Sequence, residues 1–222
     1  MPTSLSDALQ KFDVEGTFFP YATCPSCNST TKGLPLEDGV YDWPETCPNV
    51  IVGKEGTATC GAPLLIRRKD GTPQPIKPYL VGSFPDYLAR CLLDSTYLEQ
   101  SVRATDKAFH DIQTGNHVKT TSVHDVFEAE FIRDFQGPNG KLFVDRGDKI
   151  RLAFSIHLDF FNPNGITHRG AHDSIGVISS ANLALDPSIR YLPENMFLAG
   201  IIPGPSEPKG GEIDHFVQPV ID

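Results

Sequence analysis

Between Lys149 and Asp159 the chain alternates without a break: Ile150, Leu152, Phe154, Ile156 and Leu158 stand between Arg151, Ala153, Ser155, His157 and Asp159. A period of two is the signature of a strand with one buried face. The pattern predicts that this strand delivers an acid, Asp159, at its end, just before the turn-forming Asn162, Pro163, Asn164 and Gly165. A second strand fits Ser174–Leu185 and a third fits Met196–Ile202. The turn at Asp186, Pro187 and Ser188 separates them, and Pro203, Gly204 and Pro205 end the third. A helix is expected to begin near Glu212, where Glu212 and Asp214 suit the positive end of the helix dipole.

Upstream the period changes. Ser83 can cap a helix and Pro85 suits its first turn. Leu88, Cys91, Leu92 and Leu98 mark its buried face, which predicts a helix to about Arg103, with Cys91 a core residue. A second helix is predicted from Ser122 to Phe135, because Val123, Phe127, Phe131 and Phe135 recur every fourth residue on one stripe. Aromatic stripes of this kind are read as core. Gly137, Pro138, Asn139 and Gly140 end it.

The first 70 residues have no long periodic stretch and few large apolar side chains, yet they hold four of the five cysteines. Cys24 and Cys27 are separated by two residues, Cys47 follows after nineteen more and Cys60 after a further twelve. Thiolates two apart on a tight turn can both reach one tetrahedral Zn²⁺, and two distant thiols complete the shell. Pro25 and Gly61 suit the sharp turns involved. A structural Zn(Cys)₄ site, zinc-ribbon-like, is therefore expected, with the metal supplying the stability that a small core lacks. A redox pair would need a βαβ setting, and a disulfide pair would suit a secreted chain. Residues 71–78 are a proline-rich connector.

Composition narrows the reading. No apolar run is long enough to span a bilayer, and no signal peptide is evident, so a soluble intracellular protein is expected. The formal net charge of −9 argues against broad, nonspecific attraction to phosphate. Arg67, Arg68 and Lys69 form the one tight basic cluster, read first as a solvated turn and second as a phosphate clamp. His157 shares a face with Asp159, and His168, His172 and Asp173 follow in the next loop. A His/Asp metal centre could be drawn from these, but nothing in the sequence fixes their geometry. His110, His117 and His124 recur every seven residues, but Gly115 interrupts any helix that would align them.

Several long words in order carry a family resemblance: residues 158–163 (LDFFNP), 174–178 (SIGVI), 187–195 (PSIRYLPEN) and 197–205 (FLAGIIPGP), with 212–219 (EIDHFVQP) as a weaker continuation. This block resembles the catalytic region of CACTA-type (En/Spm) DNA transposases of the fungal type, in which a similar cysteine cluster lies upstream. The resemblance implies an α+β chain in three parts. Residues 1–70 would be the zinc module, 71–145 a helical connector, and 146–222 the front of an incomplete RNase H-like domain of three strands and the start of a helix. In that family three carboxylates hold two Mg²⁺ ions, which activate the attacking oxygen and stabilise the leaving one. Asp159 corresponds to the first carboxylate, and the chain stops before the second and third would arrive. The implied partner is DNA at transposon ends, in the nucleus, with no cleavage by this chain as it stands. A zinc-dependent DNA- or protein-binding module without catalysis is the alternative.

Overall fold

The computed structural model describes residues 16–53, 56–116, 122–162 and 174–222. The fold is mixed α+β, built on a large antiparallel sheet with few helices. Short strands come first: β1 (Phe18–Thr23), β2 (Thr30–Lys32), β3 (Leu34–Pro35), β4 (Tyr41–Asp42), β5 (Val50–Gly53), β6 (Gly56–Thr59), β7 (Leu65–Arg67), β8 (Pro73–Pro75) and β9 (Lys77–Gly82). Helices α1 (Phe84–Leu93), α2 (Ser95–Gln113) and the single turn α3 (Glu130–Arg133) follow. The chain then returns to strands β10 (Phe154–Phe161), β11 (Ile175–Asn182) and β12 (Met196–Ile202), and finishes with α4 (Asp214–Ile221).

Six strands form one sheet in the order β10-β11-β12-β9-β1-β2. The expected trio β10–β12 lies side by side in chain order, and the third strand has the predicted bounds. The second is shorter than Ser174–Leu185 because Asn182 leaves the ladder: its Oδ1 accepts from the Ala184 amide, closing a turn. The other half of the sheet comes from the cysteine-rich segment and the connector. Phe18 to Thr23 pair antiparallel with Gly82 to Lys77, and β9 meets β12 through Val81–Gly200 and Leu80–Ile201.

The described chain divides into two compact units, one taking in the residues up to Asp86 with His157–Ser179 and Leu198–Asp222, the other Tyr87–Ile156 with Ser180–Phe197. In the first, fully buried Tyr79 packs edge-on against Phe216 of α4 at 5.2 Å and donates its hydroxyl to the Phe216 carbonyl at 2.7 Å. Gly200 gives Tyr79 its space, since a Cβ there would lie 2.6 Å from the tyrosine oxygen. In the second, Ala108, Phe127, Val144 and Ala184 form the core.

Three expectations are corrected. The helix foreseen from Ser83 to Arg103 is two helices, because extended Asp94 breaks it and caps α2, accepting from the amides of Thr96 and Tyr97. The helix foreseen over Ser122–Phe135 is a 3-10 turn at Val126–Glu128 and then α3, separated by extended Ala129 (ψ 141°). Of its aromatic stripe only Phe127 is buried; Val123, Phe131 and Phe135 are exposed. The strand foreseen from Lys149 to Asp159 begins at Phe154 and runs to Phe161, so Asp159 lies within it and not at its end. The residues before it are bonded elsewhere, Arg151 donating to the Leu142 and Phe143 carbonyls. Ile156 and Leu158, expected inside, are exposed.

Candidate metal centre

The four cysteines of the sequence pattern converge, with their sulfurs all within 4.8 Å of one another. Two hairpins bring them there. Cys24 and Cys27 occupy the tip between β1 and β2, where the Cys24 amide donates to the Ser29 carbonyl and the Asn28 amide donates back to the Cys24 carbonyl. Asn28 takes the left-handed conformation (φ 56°) that this tight turn requires.

Cys47 and Cys60 are distant in sequence but flank the β5–β6 hairpin. Backbone bonds from Cys60 to Asn49, from Cys47 to Ala62 and from Gly61 to Cys47 zip its base. Gly61 turns there at φ 64°. The twelve-residue spacing is therefore no obstacle, since an antiparallel excursion returns to its starting point.

The geometry fits a tetrahedral ion. Cys24 and Cys60 sulfurs stand 3.7 Å apart, as do those of Cys27 and Cys47. Thiolates each about 2.3 Å from Zn²⁺ at tetrahedral angles are separated by about 3.8 Å. A disulfide would need about 2.05 Å, and all five cysteines are free. Amide donors line the sulfurs: Ser26 N–H reaches Cys24 at 3.4 Å, and the backbone amides of Asn49 and Ala62 reach Cys47 and Cys60.

Burial raises the Cys24 thiol and pushes Cys47 up to about 12, whereas the Ala62 amide lowers half-buried Cys60. Without a cation the buried thiols keep their protons, so a bound metal replaces protons as well as filling space. Ala22 and Leu64 pack beside the cluster, with Trp43 over Gly33, where a Cβ would come within 2.8 Å of the indole.

A polar chain that the sequence did not disclose joins this centre to α4. Lys77 Nζ donates to Asn28 Oδ1 at 3.1 Å, and Asn28 Nδ2 donates to Glu212 at 2.9 Å. Thr30 Oγ1 donates to the His215 carbonyl at 2.7 Å. Burial lowers the Lys77 pKa, opposed by the charges of Cys24 and Glu212. The only hint in the sequence was an Asn directly after the Cys-x2-Cys turn, a residue that tolerates positive φ.

Among the described residues no other group of three metal-ligating side chains comes together. Asp159 and His157 are exposed on β10. His117, His168, His172 and Asp173 lie outside the described residues, and His110 sits in the last turn of α2. Cys91 is half-buried on α1, away from the cluster. Arg67 and Arg68 are exposed on the β7–β8 hairpin and bond locally, to the Gly71 carbonyl and to Gln74.

No family model, no curated protein and no solved structure matches this chain.

The second unit holds a cleft of about 730 Å³ between α2 and the Asp186–Arg190 turn. Its acids are engaged by neighbours: Asp125 by Arg190 at 2.6 Å, Asp111 by Arg133 at 3.7 Å, Glu128 by the His124 amide and Asp186 by Ser188. Arg190, almost wholly buried, also donates to the Leu185 carbonyl. These charges brace the turn. Within the described residues the cysteine centre is thus the one arrangement able to hold a metal ion, and no helix is long and apolar enough to cross a membrane.

Proposed function

We propose that this chain is a zinc-stapled part of a CACTA-type DNA transposase. Cys24, Cys27, Cys47 and Cys60 hold a structural Zn²⁺, in a zinc-ribbon-like module of two hairpins. Asp159 supplies the first carboxylate of an RNase H-like catalytic domain. The observation that carries the reading is the convergence of four sulfurs within 4.8 Å of one another, upstream of β10, β11 and β12, which lie side by side in chain order and lead into α4. The transposase-like words overlap these elements at residues 158–161 of β10, 175–178 of β11, 197–202 of β12 and 214–219 of α4, while 187–195 lies between β11 and β12.

Mg²⁺, where bound, would activate the attacking oxygen at a scissile phosphate. The chain's own contribution is one exposed carboxylate on a strand held by its neighbour β11. A single carboxylate holds Mg²⁺ weakly, and Asp159 belongs to no group of three or more metal-ligating side chains among the described residues. DNA at transposon ends, in the nucleus, is the partner, and the chain by itself does not cleave.

That isolation of Asp159 also favours the second reading, a zinc-dependent DNA- or protein-binding module without chemistry. Metal analysis of the purified chain tests the zinc: one equivalent is expected, and none would overturn it. Incubation with Mg²⁺ or Mn²⁺ and DNA ending in the element's terminal repeats tests the rest. Nicking that vanishes in Asp159→Ala would overturn the inactive reading. Tight, salt-steep DNA binding that survives Asp159→Ala would favour the binding module.

A further inference from the structure

The loop from Phe135 to Phe143 is a closed hairpin. The Phe143 amide donates to the Phe135 carbonyl at 2.7 Å and the Gly137 amide to the Lys141 carbonyl at 2.9 Å, around a bridge of Gln136 with Leu142. Gly140 turns its tip at φ 71°, with its amide on the Gly137 carbonyl at 2.9 Å. Against this hairpin lies a cavity of about 320 Å³, lined by Phe135, Gly137, Pro138, Asn139, Phe143 and Arg151.

The two phenyl rings stand 6.3 Å apart at 73°. Phe143 packs against the Ala108, Phe127 and Val144 core, whereas Phe135 is 58% exposed and adds little to it. Rings set nearly at right angles form an L. A third flat ring can stack on one face while its rim meets the other, both favourable aromatic arrangements.

The polar groups of the lining are donors. Arg151 spends Nη1 on the Leu142 and Phe143 carbonyls, at 2.8 and 3.0 Å, which fixes the guanidinium against the hairpin. Its Nε and Nη2 make no bond among the described residues. Asn139 accepts from the Lys141 amide through Oδ1, which leaves its Nδ2 without an acceptor among them. Arg151 is the one charged side chain in the lining, and no acid opposes it. Aromatic faces with unspent N–H donors and a single cation suit a ligand that is flat, rich in acceptors and anionic.

We propose that this cavity binds one unstacked nucleotide of a single-stranded nucleic acid, with the base on Phe135, a base carbonyl on Asn139 Nδ2 and a phosphate on Arg151. The inference rests on DNA being the partner, as proposed above, and adds the form in which the DNA is held. A base inside a duplex is stacked on both faces and does not reach such a cavity without being extruded. The chain's net charge of −9 leaves little affinity to gain from many phosphate contacts, so stacking carries the binding.

Fluorescence anisotropy of a labelled short oligothymidylate with the zinc-loaded full chain tests this. The single strand is expected to bind at least about fivefold more tightly than an abasic oligomer of equal charge or the thymine–adenine duplex. Phe135→Ala should cost about fivefold or more, the loss of one base–aromatic stack. Phe135→Trp should retain binding, and its added indole emission should be quenched by the oligomer, with the wild type's one tryptophan, Trp43, as baseline. Asn139→Asp keeps the acceptor for Lys141 but replaces the donor with a charge, and should also weaken binding. Circular dichroism checks each fold, and if Phe135→Ala does not fold, the other two variants decide. An abasic oligomer bound as well as the thymine strand, affinity unchanged in a folded Phe135→Ala, or an unquenched Phe135→Trp would overturn the proposal. Duplex of the element's ends bound equally by wild type and Phe135→Ala, with the single strand ignored, would overturn this site and leave the transposase reading standing.

Discussion

Gly200 shows how one missing side chain fixes a core. An added Cβ would meet the Tyr79 ring at 2.9 Å and its oxygen at 2.6 Å, and Tyr79 is fully buried, with its hydroxyl on the Phe216 carbonyl. The ring has nowhere to retreat. Gly200→Ala is expected to cost about 1–3 kcal/mol through overpacking, whereas Tyr79→Phe loses one hydrogen bond and about 1 kcal/mol; urea unfolding of both variants checks the order. Arg190 is the corresponding residue of the second unit. Its guanidinium is nearly buried between the Leu185 carbonyl and Asp125, and Asp125 also caps the turn at Phe127. Asp125→Ala strands that charge and is expected to cost about 3 kcal/mol, near the lower end for a broken buried pair because Asp125 is 24% exposed. A drop in thermal midpoint smaller than that of Gly200→Ala would contradict this.

At the level of elements, α4 is tied to the metal centre through Glu212. Its carboxylate accepts from the Lys209 amide, the larger cause, and from Asn28, and both hold its pKa below the ordinary 4.5. A lowered folded pKa contributes stability that is present above 4.5 and lost as pH falls through the folded value. Protection factors at residues 214–221, taken relative to the intrinsic exchange rate at each pH, are therefore expected to fall in acid below that point, and Glu212→Gln should flatten the response. The elements also show what the sequence could disclose. Met196–Ile202 is a strand with the expected bounds because its ends are set locally, by Pro203 and by a turn before it. β1 and β9 carry no strand signal of their own: one holds Pro20, the other starts at the end of a proline-rich connector, and each is a strand because the other lies beside it. The buried face of α2 was hidden for another reason. It is Tyr97, Ser101, Thr105 and Ala108, a largely polar stripe whose first two members meet Asn182 through side-chain hydrogen bonds. The opposite error arose at Val123–Phe135, where apolar spacing suggested a helix that Asp125 and Ala129 break up.

For the whole molecule, a metal ion held by the four cysteines would add stability where the core beside them is small. Fully buried apolar groups around it are few, Ala22 and Leu64 besides the cysteines themselves. Chelation is expected to open the segment from Phe18 to Ile76 to protease while the Phe127–Val144 core of the second unit stays protected, and mass spectrometry of the fragments would show it. Uniform digestion of both would contradict the assignment. Legibility was highest here too, since four thiols announce a metal without reference to any strand, although the path between Cys47 and Cys60 could not be read from spacing alone. That path has a practical use. The β5–β6 hairpin is exposed along both strands, and the ligands are fixed at its base by the Cys60–Asn49 and Cys47–Ala62 backbone bonds. Its far end is thus a graft position: an epitope or fluorophore-binding peptide spliced between Gly53 and Gly56 should leave metal stoichiometry unchanged, because lengthening a loop costs only about 0.6 kcal/mol per doubling. The protein carries a ready-made handle on the back of its own staple.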